Sequence, residues 1–182
     1  MKNQADDKRK RVIVLDTSAF LAGFDPFSLS VEQVTVPKVE EEIRRNSIIN
    51  TRFRTAIENG KLEVKAPRPE FLNNVKVIAD KLGDWHLLSE ADTQLLALAL
   101  ELKAEGNTPQ IVTDDYSIQN VAAQMDIEFL VLATFGIKRL LEWIRYCPAC
   151  HREYPTNFSS KACLVCGTKL KRKPRRTVKN VR

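Results

Sequence analysis

The sequence predicts an α/β fold built on a central parallel sheet, with a small separate module behind it. Three observations carry that expectation. Short apolar runs alternate with helix-patterned segments, as strands joined by helical crossovers do. Acids stand at the ends of two of those runs, and all four cysteines fall between residues 147 and 166.

Residues 1–11 read as a charged lead-in. VIVLD (12–16) is a short apolar run ending in an acid, the pattern of a buried parallel strand. VTVP (34–37) is a second, and Pro37 suits the first turn of a helix that runs on to a stop at Gly60. LEVKAP (62–67) is a more polar edge strand. Pro69 opens a helix to about Gly83, and Ser89 opens a longer one through Leu102 that ends near Gly106. QIVTDD (110–115) is a third buried strand, YSIQNVAAQM the helix behind it, and IEFLVL (127–132) a fourth core strand. The amphipathic stretch 136–146 connects to the cysteine module. The expected division is therefore a domain over 12–135, a connector over 136–146, a cysteine module over 147–170 and a basic tail over 171–182.

Composition narrows the function classes. The 182 residues are 43% hydrophobic and 29% charged, ordinary globular usage with room for one domain and an accessory module. No apolar run has the roughly 18 residues of a membrane span. The start is too charged for a secretory signal, so a cytoplasmic protein with no membrane partner is expected. The net charge is +6, yet the last fourteen residues hold eight Lys or Arg and no acid, leaving 21 bases against 23 acids elsewhere. Such tails meet nucleic acid by releasing condensed counterions, or serve as solvated ends. GxGxxG and GxxxxGK[ST] are both absent, which disfavours dinucleotide and P-loop chemistry.

Asp16 ends the first strand, and Asp114 and Asp115 end the third. If both strands are central and parallel, these carboxylates leave the sheet at one edge; each also suits a helix N-cap. Glu40 and Glu41 have Arg44 and Arg45 at i+4 and read as solvated pairs. Glu42 lies on the side of Val39 and Ile43 and leans toward the core, or else reaches Arg45. Asp92 lies on the apolar stripe of its helix, while Ser89-x-x-Asp92 also resembles a capping box. Four acids aimed at one sheet edge repel unless a cation neutralises them. Mg²⁺ or Mn²⁺, hard ions that prefer oxygen, suit that role and phosphodiester hydrolysis. With His86 and His151 the only histidines, no Ser-His-Asp triad is available.

Cys147-x-x-Cys150 and Cys163-x-x-Cys166 form CxxC-x12-CxxC, the spacing of a tetrahedral zinc ribbon. Four thiolates saturate the ion, so the zinc is structural and His151 is surplus. Tyr146, Tyr154 and Phe158 either stack on unpaired bases or fill the ribbon's small core. The candidate RNA-binding cations are Arg44, Arg45, Arg52, Arg145, Arg152, Lys169, Lys171, Arg172 and Lys173.

VIVLDTSAFL, VPKVEEEI, LSEADTQLLALA and IVTDDYSIQNVA resemble the ordered acidic motifs of PIN-domain nucleases. With the four-cysteine ribbon and basic tail, the whole chain resembles the archaeal type of the Nin-one-binding family of ribosome-biogenesis endoribonucleases. The resemblance implies a PIN-like α/β/α sandwich and Mn²⁺ or Mg²⁺ held by Asp16, Glu42, Asp92 and Asp115, with Asp114 as alternate. It implies Thr17 and Thr113 as orienting groups, and precursor small-subunit rRNA within the small ribosomal subunit particle as partner. Its expected reaction is cleavage at the 3′ end of that rRNA. A toxin-like PIN ribonuclease acting on tRNA or mRNA, and a non-catalytic RNA-binding scaffold, are the alternatives.

Overall fold

The computed structural model describes residues 9–133, 139–156 and 158–180. Most of the charged lead-in, residues 1–8, lies outside them, as do residues 134–138 of the domain end and connector and the last two residues of the tail.

Five strands form the first sheet: β1 (Arg11–Leu15), β2 (Glu32–Thr35), β3 (Glu63–Val64), β4 (Thr108–Val112) and β5 (Glu128–Leu130). Their order is β3-β2-β1-β4-β5, and every pairing is parallel. Successive residues Val12, Ile13, Val14 and Leu15 are all buried, so helices cover both faces of β1, as expected for an α/β/α sandwich. β5 departs from the expected core strand. It is three residues long, lies at the sheet edge and leaves Leu130 exposed, because only one neighbour pairs with it.

The helices are α1 (Thr17–Leu21), α2 (Pro37–Ile43), α3 (Ser47–Glu58), α4 (Pro69–Leu82), α5 (Glu90–Ala104) and α6 (Tyr116–Gln124). Two differ from the sequence reading. α1 was not anticipated; its five residues are short of a readable period, and it forms because the Asp16 side chain accepts from the Thr17 N–H. The helix expected from Pro37 to Gly60 is two helices. Asn46 leaves helical geometry and its side chain accepts from Ile49 N at 3.3 Å, which caps α3 and ends α2. The break turns Glu41 away from Arg45; it pairs instead with Lys38 at 3.0 Å, while the expected Arg44–Glu40 pair forms at 2.8 Å.

A second, antiparallel sheet holds β6 (Arg139–Tyr146), β7 (Glu153–Tyr154) and β8 (Lys171–Asn180) in the order β7-β6-β8. This corrects the expected connector and tail. Residues 139–146 are a strand, and residues 171–180 are its partner from Tyr146↔Lys171 to Arg139↔Asn180. The basic run hides its strand character because it lacks apolar alternation and contains Pro174. Register shifts fall between Leu140 and Leu141 and between Glu142 and Trp143, the second beside the Trp143↔Pro174 pair. The zinc-spaced cysteines sit at the β7 end of this sheet, beside a core of Cys147, Cys163 and Tyr154 backed by Phe158 and Leu170. Among the described residues no helix is long and apolar enough to cross a membrane.

Candidate active site

β1 lies at the centre of the parallel sheet. From it the chain moves outward through β2 and β3, then returns to place β4 on its other side. The boundary between β1 and β4 is thus a topological switch point, where a cleft opens beyond the strand ends. Asp16 follows β1, and its N–H donates to Val112 O across that boundary at 3.2 Å. Thr113, Asp114 and Asp115 follow β4.

Asp16 is buried and held from three sides. Oδ1 accepts from Thr17 N at 2.7 Å, and Oδ2 accepts from Ser18 Oγ at 2.7 Å and from Thr113 Oγ1 at 2.8 Å. The same hydroxyls reach onward, Ser18 Oγ accepting from Asp114 N at 3.1 Å and Thr113 Oγ1 from Asp115 N at 3.1 Å. One hydroxyl network thus ties the ends of β1 and β4 together. Thr113 was anticipated as an orienting group. Ser18 was not, although a hydroxyl two residues beyond a strand-end acid is a signal that could have been read.

The remaining acids approach from helices. Glu42 is exposed, against the expectation that it leans toward the core. In so short a helix Val39 and Ile43 take the buried positions and leave Glu42 on the flank. That flank faces α1, and Glu42 Oε2 accepts from Thr17 Oγ1 at 2.5 Å. Asp92 completes the capping box: Oδ2 accepts from Ser89 N at 2.7 Å, and Asp92 N donates to Ser89 Oγ at 3.1 Å. Asp115 caps α6 through Ser117 N at 2.6 Å. Asp114 turns the other way and accepts from Leu132 N and Ala133 N beyond β5. Burial raises the Asp92 carboxyl pKa above its ordinary value against its bonds to Ser89, and the nearby charges of Asp16 and Asp115 push it further. That influence places Asp92 near the strand-end acids Asp16 and Asp115.

All these donors are oxygens, the set a hard divalent cation prefers. Among the described residues, the four cysteines are the one set of three or more potential ligands whose atoms all lie within 4.8 Å. In that second site Cys147 Sγ lies 3.4 Å from Cys166 Sγ, and Cys150 Sγ 3.5 Å from Cys163 Sγ. The Tyr154 hydroxyl lies 3.0 Å from Cys163 Sγ and draws that thiol down to about 6, toward the thiolate a metal requires. His151 lies outside the set, its backbone left-handed at φ 58° in the turn after Cys150.

Comparison with known proteins identifies the family. The model of a family described as the PIN domain of ribonuclease matches residues 13–102. An endoribonuclease Nob1 from Pyrococcus abyssi is 39% identical, over 92% of this chain and 96% of its own. Another, from Methanocaldococcus jannaschii, is 37% identical over 90% of this chain and 78% of its own. The chain belongs to the Nob1 endoribonuclease family. Ribonuclease VapC1 from Thermoplasma acidophilum is also similar, at 34% identity over 88% of this chain and 77% of its own.

Not all the basic residues of this Nob1 family member are left for RNA. Arg45, Arg52, Arg152, Lys169 and Lys171 are exposed. Arg145 Nη1 donates to Ser160 O at 3.4 Å, and Lys173 pairs with Glu153 at 2.7 Å beneath the Tyr146 ring contact. Arg172 is committed to Asp84 at 2.7 Å. Tyr154 and Phe158 stack on each other in the ribbon core at 4.5 Å, filling that core as one of the two sequence readings expects.

The buried acids carry a stability signature. Burial raises Asp16 above the ordinary carboxyl value of 3.8, against the hydroxyl and N–H bonds of Ser18, Thr113 and Thr17, and raises Asp92 likewise. A carboxyl whose pKa is higher folded than unfolded binds its proton better in the folded state. Its stability contribution is full below the ordinary carboxyl range and is lost as pH rises through the raised values. Zinc-loaded protein without added Mg²⁺ or Mn²⁺ is therefore expected to lose stability from about pH 4 upward relative to Asp16→Asn. Paired thermal melts across pH check it; a wild-type-minus-variant difference in Tm that stays flat with pH would contradict it.

Proposed function

We propose that this chain is a divalent-metal-dependent endoribonuclease that cleaves precursor small-subunit rRNA at its 3′ end within the small ribosomal subunit particle. The observation that supports it is the buried Asp16 carboxylate at the β1–β4 switch point, bound to Thr113, whose hydroxyl accepts from Asp115 N, with Glu42 bound to the adjacent Thr17 and Asp92 within reach of the charges of Asp16 and Asp115. Asp16, Glu42, Asp92 and Asp115 would hold Mg²⁺ or Mn²⁺, and Cys147, Cys150, Cys163 and Cys166 would hold one structural Zn²⁺. When bound, the divalent ion supplies Lewis acidity that activates water and offsets charge building on the phosphate. The chain's own residues hold the carboxylates in place: Ser18 and Thr113 orient Asp16, Thr17 orients Glu42, and the Ser89 cap fixes Asp92. The domain over 12–135 supplies the chemistry. The ribbon over 147–170 and its basic strand supply RNA contacts through Lys169, Lys171 and neighbouring cations, with Arg44, Arg45 and Arg52 as a second surface. The cytoplasm is the proposed site of action.

The test is cleavage of an RNA spanning the 3′ end of small-subunit rRNA and its downstream spacer, with Mn²⁺ and with the divalent ion omitted. One metal-dependent cut at the mature end is expected. Scattered metal-dependent cutting would favour a toxin-like ribonuclease on tRNA or mRNA, the reading that the VapC1 likeness keeps in view. Tight binding with no cutting of any RNA would favour a scaffold.

A further inference from the structure

Outside the carboxylate cleft, the most buried charged side chain among the described residues is Asp84. Its side chain is 2% exposed and lies in the turn between α4 and α5. A carboxylate so buried is costly unless every lone pair is used. Oδ2 accepts from Asn120 Nδ2 at 2.5 Å, and Oδ1 accepts from Arg172 Nη2 at 2.7 Å. Asn120 belongs to α6, the helix that Asp115 caps. Arg172 belongs to β8, in the second sheet, and its guanidinium also lies over the Trp143 ring of β6 at 4.7 Å. The turn after Asp84 leads directly to Ser89 and Asp92. One buried carboxylate thus joins β8 of the second sheet to α6, which Asp115 caps, from the turn that leads into α5, which carries Asp92.

Neighbouring contacts follow the same seam. Thr156 Oγ1 donates to Asp80 O at 3.1 Å. Gly83 has φ 77°, and a Cβ there would meet Thr156 Cγ2 at 2.7 Å and Trp143 O at 3.1 Å, so only glycine lets the surfaces close.

We propose that Asp84 is a positioning residue, whose ion pair with Arg172 latches the ribbon onto the nuclease domain so that RNA lying along the ribbon enters the cleft in one register. The proposal rests on the ribonuclease reading above. The latch makes the ribbon a ruler: the distance from its basic strand to the carboxylates sets which phosphate is cut. Arg172 therefore acts inside the protein, not on RNA.

The test uses the full zinc-loaded chain and the variants Asp84→Asn, Arg172→Gln and Arg172→Lys. Each is assayed by small-angle scattering, on a long RNA spanning ribbon and cleft, and on a short oligonucleotide that fills the cleft alone. Asp84→Asn and Arg172→Gln should enlarge the radius of gyration and spread the cuts on the long RNA. Its KM should rise about tenfold or more while kcat on the oligonucleotide holds. Arg172→Lys, which keeps the charge but not the forked geometry, should recover part of the cut-site precision. Arg172→Gln changes a partly exposed residue and serves if Asp84→Asn does not fold. Lower thermal stability with unchanged dimensions and an unchanged cut pattern would reduce the pair to an ordinary stabilising contact and overturn the proposal. If the wild-type chain cuts no RNA, the ribonuclease reading fails separately, and scattering alone still decides whether the latch holds the two parts together.

Discussion

Asp16→Asn is expected to lower RNA cleavage by at least about 10²-fold, with the fold and RNA affinity retained, because the change removes charge from the centre of the site. Asp16 is the innermost of the four acids and the one buried at the switch point. Asparagine has nearly the same shape, and its oxygen still accepts from Thr17 N. The Ser18 and Thr113 hydroxyls, which donate to Oδ2 now, can rotate and accept from the new amide. What is lost is a negative charge where a cation must bind. RNA affinity should persist, since the exposed candidate cations lie at the end of α2, on α3 and around the ribbon, while the Asp16 carboxylate is held by Thr17, Ser18 and Thr113. Single-turnover cleavage and a binding titration on the same RNA separate the two effects. Full-rate cutting by the variant would remove Asp16 from the chemistry, and lost affinity would mean that it also shapes the RNA surface.

Stripping zinc is expected to unfold the second sheet and leave the first. Structural zinc contributes on the order of 10–16 kcal/mol in small ribbon and finger modules, far more than this one can obtain from its own core. That core is three buried residues, two of them cysteines, backed by Phe158 and Leu170. Without an ion, four sulfurs within 4.8 Å repel as thiolates or must take up protons. The nuclease core, from Val12 to Ile127, includes none of these residues. Chelation, or Cys163→Ser, should therefore split the thermal transition, change Trp143 fluorescence and lower RNA affinity. A chelated protein that melts in one unchanged transition would show that strand pairing alone holds the ribbon.

Much of the candidate site was legible because its signals are local. An apolar run that ends in an acid needs only its own residues to declare a strand with Asp16 or Asp115 at its mouth. The Ser89–Asp92 box spans four residues, and the paired CxxC knuckles need only their spacing to bring sulfurs together. Glu42 was placed at the site but on the wrong face, because helical periodicity could not foresee that Asn46 would end α2 after two turns. The resemblance favoured Asp115 with Asp114 as alternate; both follow β4, and a contact no local pattern announces is that the loop after β5 binds the Asp114 side chain.

By itself, then, the sequence determined a parallel sheet with acids at its strand ends and a four-cysteine metal module, each written in short-range pattern. Only the tertiary structure decided that the basic tail is a strand, that the ribbon packs against the nuclease domain, and that Arg172 belongs to Asp84. Those two residues are 88 positions apart, and neither carries a signal of the other. A charge in sequence reads as solvated until the fold buries its partner, and burial is a property of the assembled chain.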